Sequence, residues 1–124
     1  MDMYTLDTNF VIYYLIKDKQ AEKFFNENLA NTFYYISVIS RVELFSYPEI
    51  TPEEFSSIEA FLSSTRSVLI DNEIAMIAAE LRRKYKIKTP DSLVAATALY
   101  TNTYLVTRNT KDFEKIKELK VVKV

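Results

Sequence analysis

A regular alternation of short β-type segments with helical segments restricts the fold of this chain more than any other feature. Aromatic and β-branched residues predict the strands, and apolar residues at helical spacing predict the helices between them. The predicted strands cover residues 3–6, 32–38, 67–70, 104–106 and 121–124. Strands connected through helices form parallel βαβ units. The sequence therefore predicts a three-layer α/β/α sandwich, with a central, mostly parallel sheet of about five strands, as a single domain over residues 1–124.

The predicted helices include one that ends near residue 16 and others over residues 40–46, 72–85, 89–100 and 111–117. The clearest helix start is at Thr51, where a capping threonine, Pro52 and Glu54 at the capping-box position agree. The chain contains no glycine, so asparagine or aspartate is the expected residue wherever φ is positive. Candidates at predicted turns and helix ends are Asn28, Asn31, Asn72, Asn102 and Asn109.

The residue types that are absent exclude several kinds of chemistry. The chain has no cysteine and no histidine, which excludes disulfides, zinc–thiolate sites, thiol nucleophiles and a histidine general base. Any catalysis must therefore use carboxylates, hydroxyls, lysine or tyrosine. No apolar run approaches the ~20 residues of a membrane span, and the start does not read as a signal peptide. We expect a cytoplasmic protein without a membrane partner.

The charge is unevenly distributed, although the net formal charge is only −1. Residues 1–81 carry a charge of −8, whereas residues 82–124 carry +7. The overall balance argues against nucleic-acid binding, and the basic C-terminal third argues for it. Solvated helix faces remain an alternative explanation for the basic run that precedes residue 89.

Four acidic residues are predicted to meet at one edge of the sheet. Asp7, Glu43 and Asp112 each follow a predicted strand, and Asp91 begins the helix that leads into the fourth strand. Ligands of such sheets bind outside the carboxyl ends of the strands. Because like charges repel, a shared divalent cation would explain the convergence. Carboxylate oxygens suit a hard ion, and Mg²⁺ or Mn²⁺ is favoured over zinc.

Each acid also has a purely structural interpretation. Glu43 has the capping-box spacing from Ser40, and Asp7 precedes a predicted helix whose first amides it could cap. Asp91 would favour the positive end of its helix, and Asp112 could be an ordinary surface acid in a polar turn. Taken together, these interpretations leave the convergence of four acids unexplained.

Four segments carry a resemblance to a known family. They are LDTN at residues 6–9, SRVEL at 40–44, TPDSLVAATAL at 89–99 and LVTRNTKDF at 105–113. In this order and spacing they resemble a PIN domain, and more narrowly the compact VapC-type toxins of bacterial and archaeal toxin–antitoxin pairs. Each segment alone is weakly specific, but the resemblance extends over essentially the whole chain.

The resemblance implies a metal-dependent endoribonuclease on a PIN-like fold that uses Mg²⁺ or Mn²⁺. Asp7, Glu43 and Asp91 match the three core acids of the family. The fourth position is Asp112, with Asn109 as a competing or supporting ligand. The possible supporting residues are Thr8, Asn9 and Thr107, and the possible contacts to RNA phosphates are Arg108 and Lys111.

The resemblance also implies a homodimer and a cognate antitoxin that blocks the acidic site. Two alternatives stay open from the sequence. One is a PIN-like binding module for RNA or protein with a weakened or lost metal site. The other is a metal-binding or phosphate-handling α/β domain of a different kind, although the chain lacks a glycine-rich phosphate loop.

Overall fold

The computed structural model describes residues 3–124 and has five parallel strands at its centre. These are β1 (Tyr4–Leu6), β2 (Tyr34–Ser37), β3 (Arg66–Val68), β4 (Tyr104–Thr107) and β5 (Val121–Lys123). They lie in the order β3-β2-β1-β4-β5, and every neighbouring pair is parallel. The α/β prediction is confirmed, and the strand bounds differ from the expected ones by one or two residues.

Among residues 3–124, seven α-helices and one π-helical segment connect the strands. They are α1 (Thr8–Leu15), α2 (Lys19–Phe24), the π-helical segment (Phe25–Leu29), α3 (Val38–Phe45), α4 (Pro52–Leu62), α5 (Asn72–Tyr85), α6 (Thr89–Thr101) and α7 (Thr110–Phe113). Thr51 and Glu54 form the predicted capping box at the start of α4. Within residues 3–124, every helix is too short or too polar to cross a membrane.

Two predicted helix bounds are wrong. The third helix begins at Val38 instead of residue 40, because the Ser37 side chain accepts a hydrogen bond from the Ile39 amide and caps the helix there. Ser40 consequently lies inside α3, where it is fully buried. The last helix ends at Phe113 instead of residue 117, and a turn follows it.

Hydrophobic clusters cover both faces of the sheet. Within β4, Val106 belongs to one cluster and Leu105 to the other, because successive side chains of a strand point to opposite faces. The first cluster includes Phe10 of α1 and Leu62 of α4, and the second includes residues of α5 and α6 such as Ala95. The sheet therefore lies between two helical layers, as predicted.

The connection order places a crevice beside the central strand. The chain proceeds from β1 outward to β2 and β3, and then returns to the other side of β1 to form β4 and β5. The connections that leave β1 and β4 at their carboxyl ends therefore diverge. Ligands of open parallel sheets bind at such a switch in strand order. A functional site is therefore expected among the residues that directly follow β1 and β4.

Positive φ angles occur at three of the described residues: Lys17 (64°), Lys86 (56°) and Asn102 (54°). Asn102 fulfils the expectation for asparagine, whereas Asn28, Asn31, Asn72 and Asn109 have ordinary negative φ. Lys86 ends α5 in the left-handed conformation, where its Cβ crowds the following carbonyl oxygen. A helix end of this kind usually carries glycine.

Replacing the exposed Lys86 with glycine should therefore stabilise the protein. We expect Lys86→Gly to raise the free energy of unfolding by about 0.5–1 kcal/mol, because glycine adopts positive φ without steric cost. Urea unfolding monitored by circular dichroism measures the change. The control is Glu80→Gly in the middle of α5, which should lower the free energy of unfolding by about 1 kcal/mol. A loss of stability in Lys86→Gly would contradict this assignment.

Candidate active site at the β1–β4 switch

Asp7 directly follows β1 and is buried at the switch in strand order, with only 5% of its surface exposed. Its Oδ2 accepts a hydrogen bond of 2.8 Å from the hydroxyl of Thr107, the last residue of β4. Its amide donates to the carbonyl oxygen of Val106 at 3.0 Å. Asp7 occupies the residue before α1, but its side chain makes no capping hydrogen bond. The helix-cap interpretation of Asp7 is therefore wrong.

The environment of Asp7 opposes ionisation. The pKa of its carboxyl is raised from 3.8 to about 6, chiefly by burial. The hydrogen bond from Thr107 lowers the pKa in part, while the nearby charges of Asp91 and Glu43 raise it further. A buried carboxyl with acidic neighbours is a frequent property of functional sites.

Glu43 on α3 is hydrogen-bonded to Thr8, the first residue of α1. Thr8 Oγ1 lies 2.7 Å from Glu43 Oε1 and 2.7 Å from the hydroxyl oxygen of the buried Ser40. An ionised carboxylate only accepts hydrogen bonds, so Thr8 donates to Glu43. Since Ser40 lies inside α3 and bonds Thr8, the capping-box interpretation of Glu43 is wrong.

Asp91 lies in the first turn of α6 and is half-buried, which raises the pKa of its carboxyl. The charges of Asp112 and Glu43 raise this pKa further, and Lys88 lowers it. Asp91 thus interacts electrostatically with all three other predicted acids, since it also raises the pKa of Asp7. Its position also agrees with the favourable location of an acid at a helix start.

Asp112 lies in α7, the helix that follows β4, and is partly buried. Its Oδ2 accepts a hydrogen bond of 3.3 Å from Asn109 Nδ2, and its Oδ1 lies 3.9 Å from Lys115 Nζ. Asp112 and Asn109, the two candidates for the fourth position, are therefore hydrogen-bonded neighbours. This arrangement suits an acid whose orientation is supported by the amide.

The donor chemistry of the site suits a hard cation. Within residues 3–124, no lysine or arginine forms an ion pair with Asp7, Glu43 or Asp91. In the same range, however, no three acidic side chains converge closely enough to hold a metal ion. Mutual repulsion of unpaired carboxylates favours such separation. The structure therefore shows electrostatically coupled acids and does not show a formed metal cage.

The other predicted site residues differ in their surroundings. Thr8 and Thr107 bond Glu43 and Asp7, whereas Asn9 is exposed and makes no hydrogen bond to the acids among the described residues. Arg108 pairs with Asp18 at 2.7 Å, while Lys111 is exposed. Of these two cations, Lys111 is therefore the one that is available to a ligand.

Sequence reasoning missed the contribution of Asp18. Its side chain accepts a hydrogen bond of 3.0 Å from the Ala21 amide, so Asp18 caps α2. An aspartate three residues before Ala21, at the break between two helical segments, is a recognisable capping signal. Its pairing with Arg108 joins positions 90 residues apart, and local sequence patterns carry no information on such a contact.

Removal of the Asp7 charge should stabilise the metal-free protein. The folded protein holds the Asp7 proton more tightly than the unfolded chain, so stability should fall as pH rises from about 4 to 6. A shift from 3.8 to about 6 corresponds to ~3 kcal/mol. We expect Asp7→Asn to be more stable by ~2 kcal/mol at pH 7 in EDTA and to lose much of this pH dependence.

Urea unfolding between pH 4 and pH 8 measures both effects. Glu59→Gln, which changes an exposed acid of α4, is the matched control and should leave stability nearly unchanged. A less stable Asp7→Asn protein, or an unchanged pH slope, would contradict the assignment.

The chain is similar to known proteins over most of its length. The PIN domain family model matches residues 4–119. The chain is also similar to ribonuclease VapC19 of Mycobacterium tuberculosis, with 32% identity over 75 residues. That match covers 56% of this chain and spans 60% of the length of the curated relative.

Solved structures share the fold over almost the whole chain. VapBC2 of Rickettsia felis, solved with a DNA fragment from its promoter, has a TM-score of 0.86 and 26% identity, with 98% of each chain covered. A toxin–antitoxin complex from Klebsiella pneumoniae has a TM-score of 0.82 and 29% identity, with 96% of this chain and 95% of that chain covered. The predicted resemblance is confirmed by the family model, which covers nearly all of the described residues. The chain belongs to the PIN domain family.

Proposed function

We propose that this chain is a metal-dependent endoribonuclease that hydrolyses RNA phosphodiester bonds. The observation that carries the proposal is the buried carboxyl of Asp7 at the β1–β4 switch, which is coupled electrostatically to Asp91 and Glu43. Family membership adds support, as does the similarity to a protein named as a ribonuclease. We treat residues 1–124 as one nuclease domain.

We propose that Asp7, Glu43, Asp91 and Asp112 hold Mg²⁺ or Mn²⁺, since they offer only oxygen donors and the chain has no histidine or cysteine. When bound, a divalent cation supplies an acidified water and neutralises charge that develops on the phosphate. Thr107 and Thr8 orient the carboxylates of Asp7 and Glu43 through their hydrogen bonds. Hydrolysis by water would leave a 5′-phosphate and a 3′-hydroxyl.

For the substrate, we propose that Lys111 contacts RNA phosphates near the acids. Lys111 is exposed and lies next to Asp112, at the border of the acidic site. Phosphate contacts dominate nucleic-acid affinity, so a cation at this border would offset the repulsion between RNA and the acids. The +7 charge of residues 82–124 supports the same role for the C-terminal third.

We further propose that the chain acts as the toxin of a type II toxin–antitoxin pair in the cytoplasm, as a homodimer that a cognate antitoxin inhibits. The Klebsiella pneumoniae neighbour is a toxin–antitoxin complex, and the Rickettsia felis neighbour is a VapBC assembly. Large apolar side chains stay exposed on this chain around α3 and α4: Val42 is 58%, Tyr47 69% and Phe55 42% exposed. Such exposure suits a surface that a partner covers.

The central prediction concerns metal-dependent cleavage. The wild-type protein should cleave a mixed RNA pool with Mg²⁺ or Mn²⁺ and should not cleave it in EDTA. Asp7→Asn should lower the rate at least ~100-fold, because the substitution removes a charged oxygen ligand. Glu59→Gln is the control for a lost acid and should cleave like wild type. Product ends should be 5′-phosphate and 3′-hydroxyl.

Two results would contradict this function. Cleavage that continues in EDTA, or products with 2′,3′-cyclic phosphates, would exclude hydrolysis at a metal site. RNA binding without cleavage by the wild type would instead favour the binding-module alternative. That alternative has one observation in its favour, since no three acids converge among residues 3–124.

A second prediction distinguishes Asp112 from Asn109. We expect Asp112→Asn to weaken Mn²⁺ binding about tenfold or more, because it removes a charge that acts on Asp91. Asn109→Ala should have a smaller effect, since it removes a hydrogen bond of 3.3 Å to Asp112 and leaves the charge in place. Isothermal titration calorimetry measures both affinities. A larger loss in Asn109→Ala would assign the fourth position to Asn109.

A further inference from the structure

Arg108 connects residues 107–112, the junction of β4 and α7 that we call the active-site loop, to three other parts of the chain. Its Nη2 donates to Asp18 Oδ2 at 2.7 Å, and its Nη1 lies 3.4 Å from Asp18 Oδ1. Its Nε donates to the carbonyl oxygen of Val124 at 2.8 Å. The guanidinium also stacks on the ring of Tyr13, 4.0 Å from the ring centre. All these contacts use the planar, multidentate geometry that distinguishes arginine from lysine.

The loop that Arg108 anchors carries several groups of the proposed active site. Thr107 precedes Arg108, and its hydroxyl accepts a hydrogen bond of 2.9 Å from the Asn109 amide. The hydroxyl proton of Thr107 is therefore directed towards Asp7, to which it donates at 2.8 Å. Asn109 in turn donates to Asp112 at 3.3 Å. A displacement of this loop would move Thr107, Asn109 and Asp112 together.

We propose that Arg108 is a positioning residue for the active site, and that its pair with Asp18 fixes the loop that orients Asp7 and Asp112. This inference rests on the proposed nuclease function. Asp18 lies between α1 and α2, so the pair links the loop to the segment that follows α1. Both side chains are partly buried, with 28% and 27% exposure, which screens the pair less than a fully exposed one.

Direct contact of Arg108 with an RNA phosphate is the competing role. Arg108 lines a groove that also carries Lys23 and Lys123, so a phosphate could approach its exposed edge. The two roles predict different effects when the Asp18 charge is removed. If Arg108 positions the loop, loss of the Asp18 charge weakens catalysis. If Arg108 binds phosphate, the same loss frees the guanidinium and strengthens RNA binding.

The test uses Asp18→Asn and Arg108→Ala in the full chain, with steady-state cleavage of an RNA oligonucleotide in Mn²⁺. Asp18→Asn removes the charge and keeps an oxygen that caps α2. We expect each variant to lower kcat about tenfold, because small displacements of reacting groups are costly. KM and the salt dependence should stay unchanged. The double variant should be no worse than Arg108→Ala alone, because that substitution already removes the pair with Asp18.

Two controls accompany these variants. Glu118→Ala removes an exposed acid that pairs with Lys84. Glu118 precedes β5 and so lies towards the amino ends of the strands, opposite the acids, and this variant should cleave like wild type. Lys111→Ala should raise KM and reduce the salt slope by about one, as loss of a phosphate contact does. Urea unfolding checks that every variant is folded.

Two results would overturn the positioning role. One is an unchanged kcat in Asp18→Asn. The other is a lower KM in Asp18→Asn together with a higher KM in Arg108→Ala. If the wild type cleaves no RNA, the proposed function fails, and amide hydrogen exchange then tests the inference separately. Exchange at the Asn109 amide should be at least tenfold faster in both variants than in Glu118→Ala. Unchanged protection of that amide would overturn the inference.

Discussion

One hydrogen bond at the carboxyl ends of two neighbouring strands orients the buried carboxyl on which the candidate site is built. Thr107 at the end of β4 donates to Asp7 after β1, and these strands are neighbours because the sheet order switches between them. Burial of an unpaired carboxyl is costly, and this bond offsets only part of the cost. The remaining cost is what a bound cation would relieve. The Asp7 carboxyl therefore affects both the stability of the fold and the proposed chemistry of the site.

The other acids are also positioned by contacts or elements of the fold around the crevice beside β1. Glu43 arrives on α3 after β2 and is oriented by Thr8, while Asp91 arrives at the start of α6. Each lies near enough to influence the pKa of another acid, yet no three of them converge within residues 3–124. A divalent ion would draw these carboxylates together because its attraction to each of them outweighs their mutual repulsion. The acids among residues 3–124 are therefore electrostatically coupled without forming a closed set of ligands.

The five strands followed from the sequence, as did the places of the acids next to strand ends and helix starts, because β-type segments and helical periodicity are local signals. The exact helix starts did not follow as well. Ser37 and Ser40 are both plausible caps of α3, and only the end of β2 decides that Ser37 takes this role. The pairing of Arg108 with Asp18 was also missed, since it depends on the tertiary arrangement of α1, β4 and the C-terminus. Sequence patterns locate the carboxylates, whereas their supporting contacts need the fold.

The most direct test of the shared cation site is the pKa of Asp7 itself. Carbon-detected NMR titration of the Asp7 carboxyl should give a value of about 6 without metal. Saturating Mg²⁺ should lower this apparent value by at least one unit, because the ion competes with the proton for the carboxylate. A pKa near the ordinary 3.8 that Mg²⁺ leaves unchanged would contradict the account.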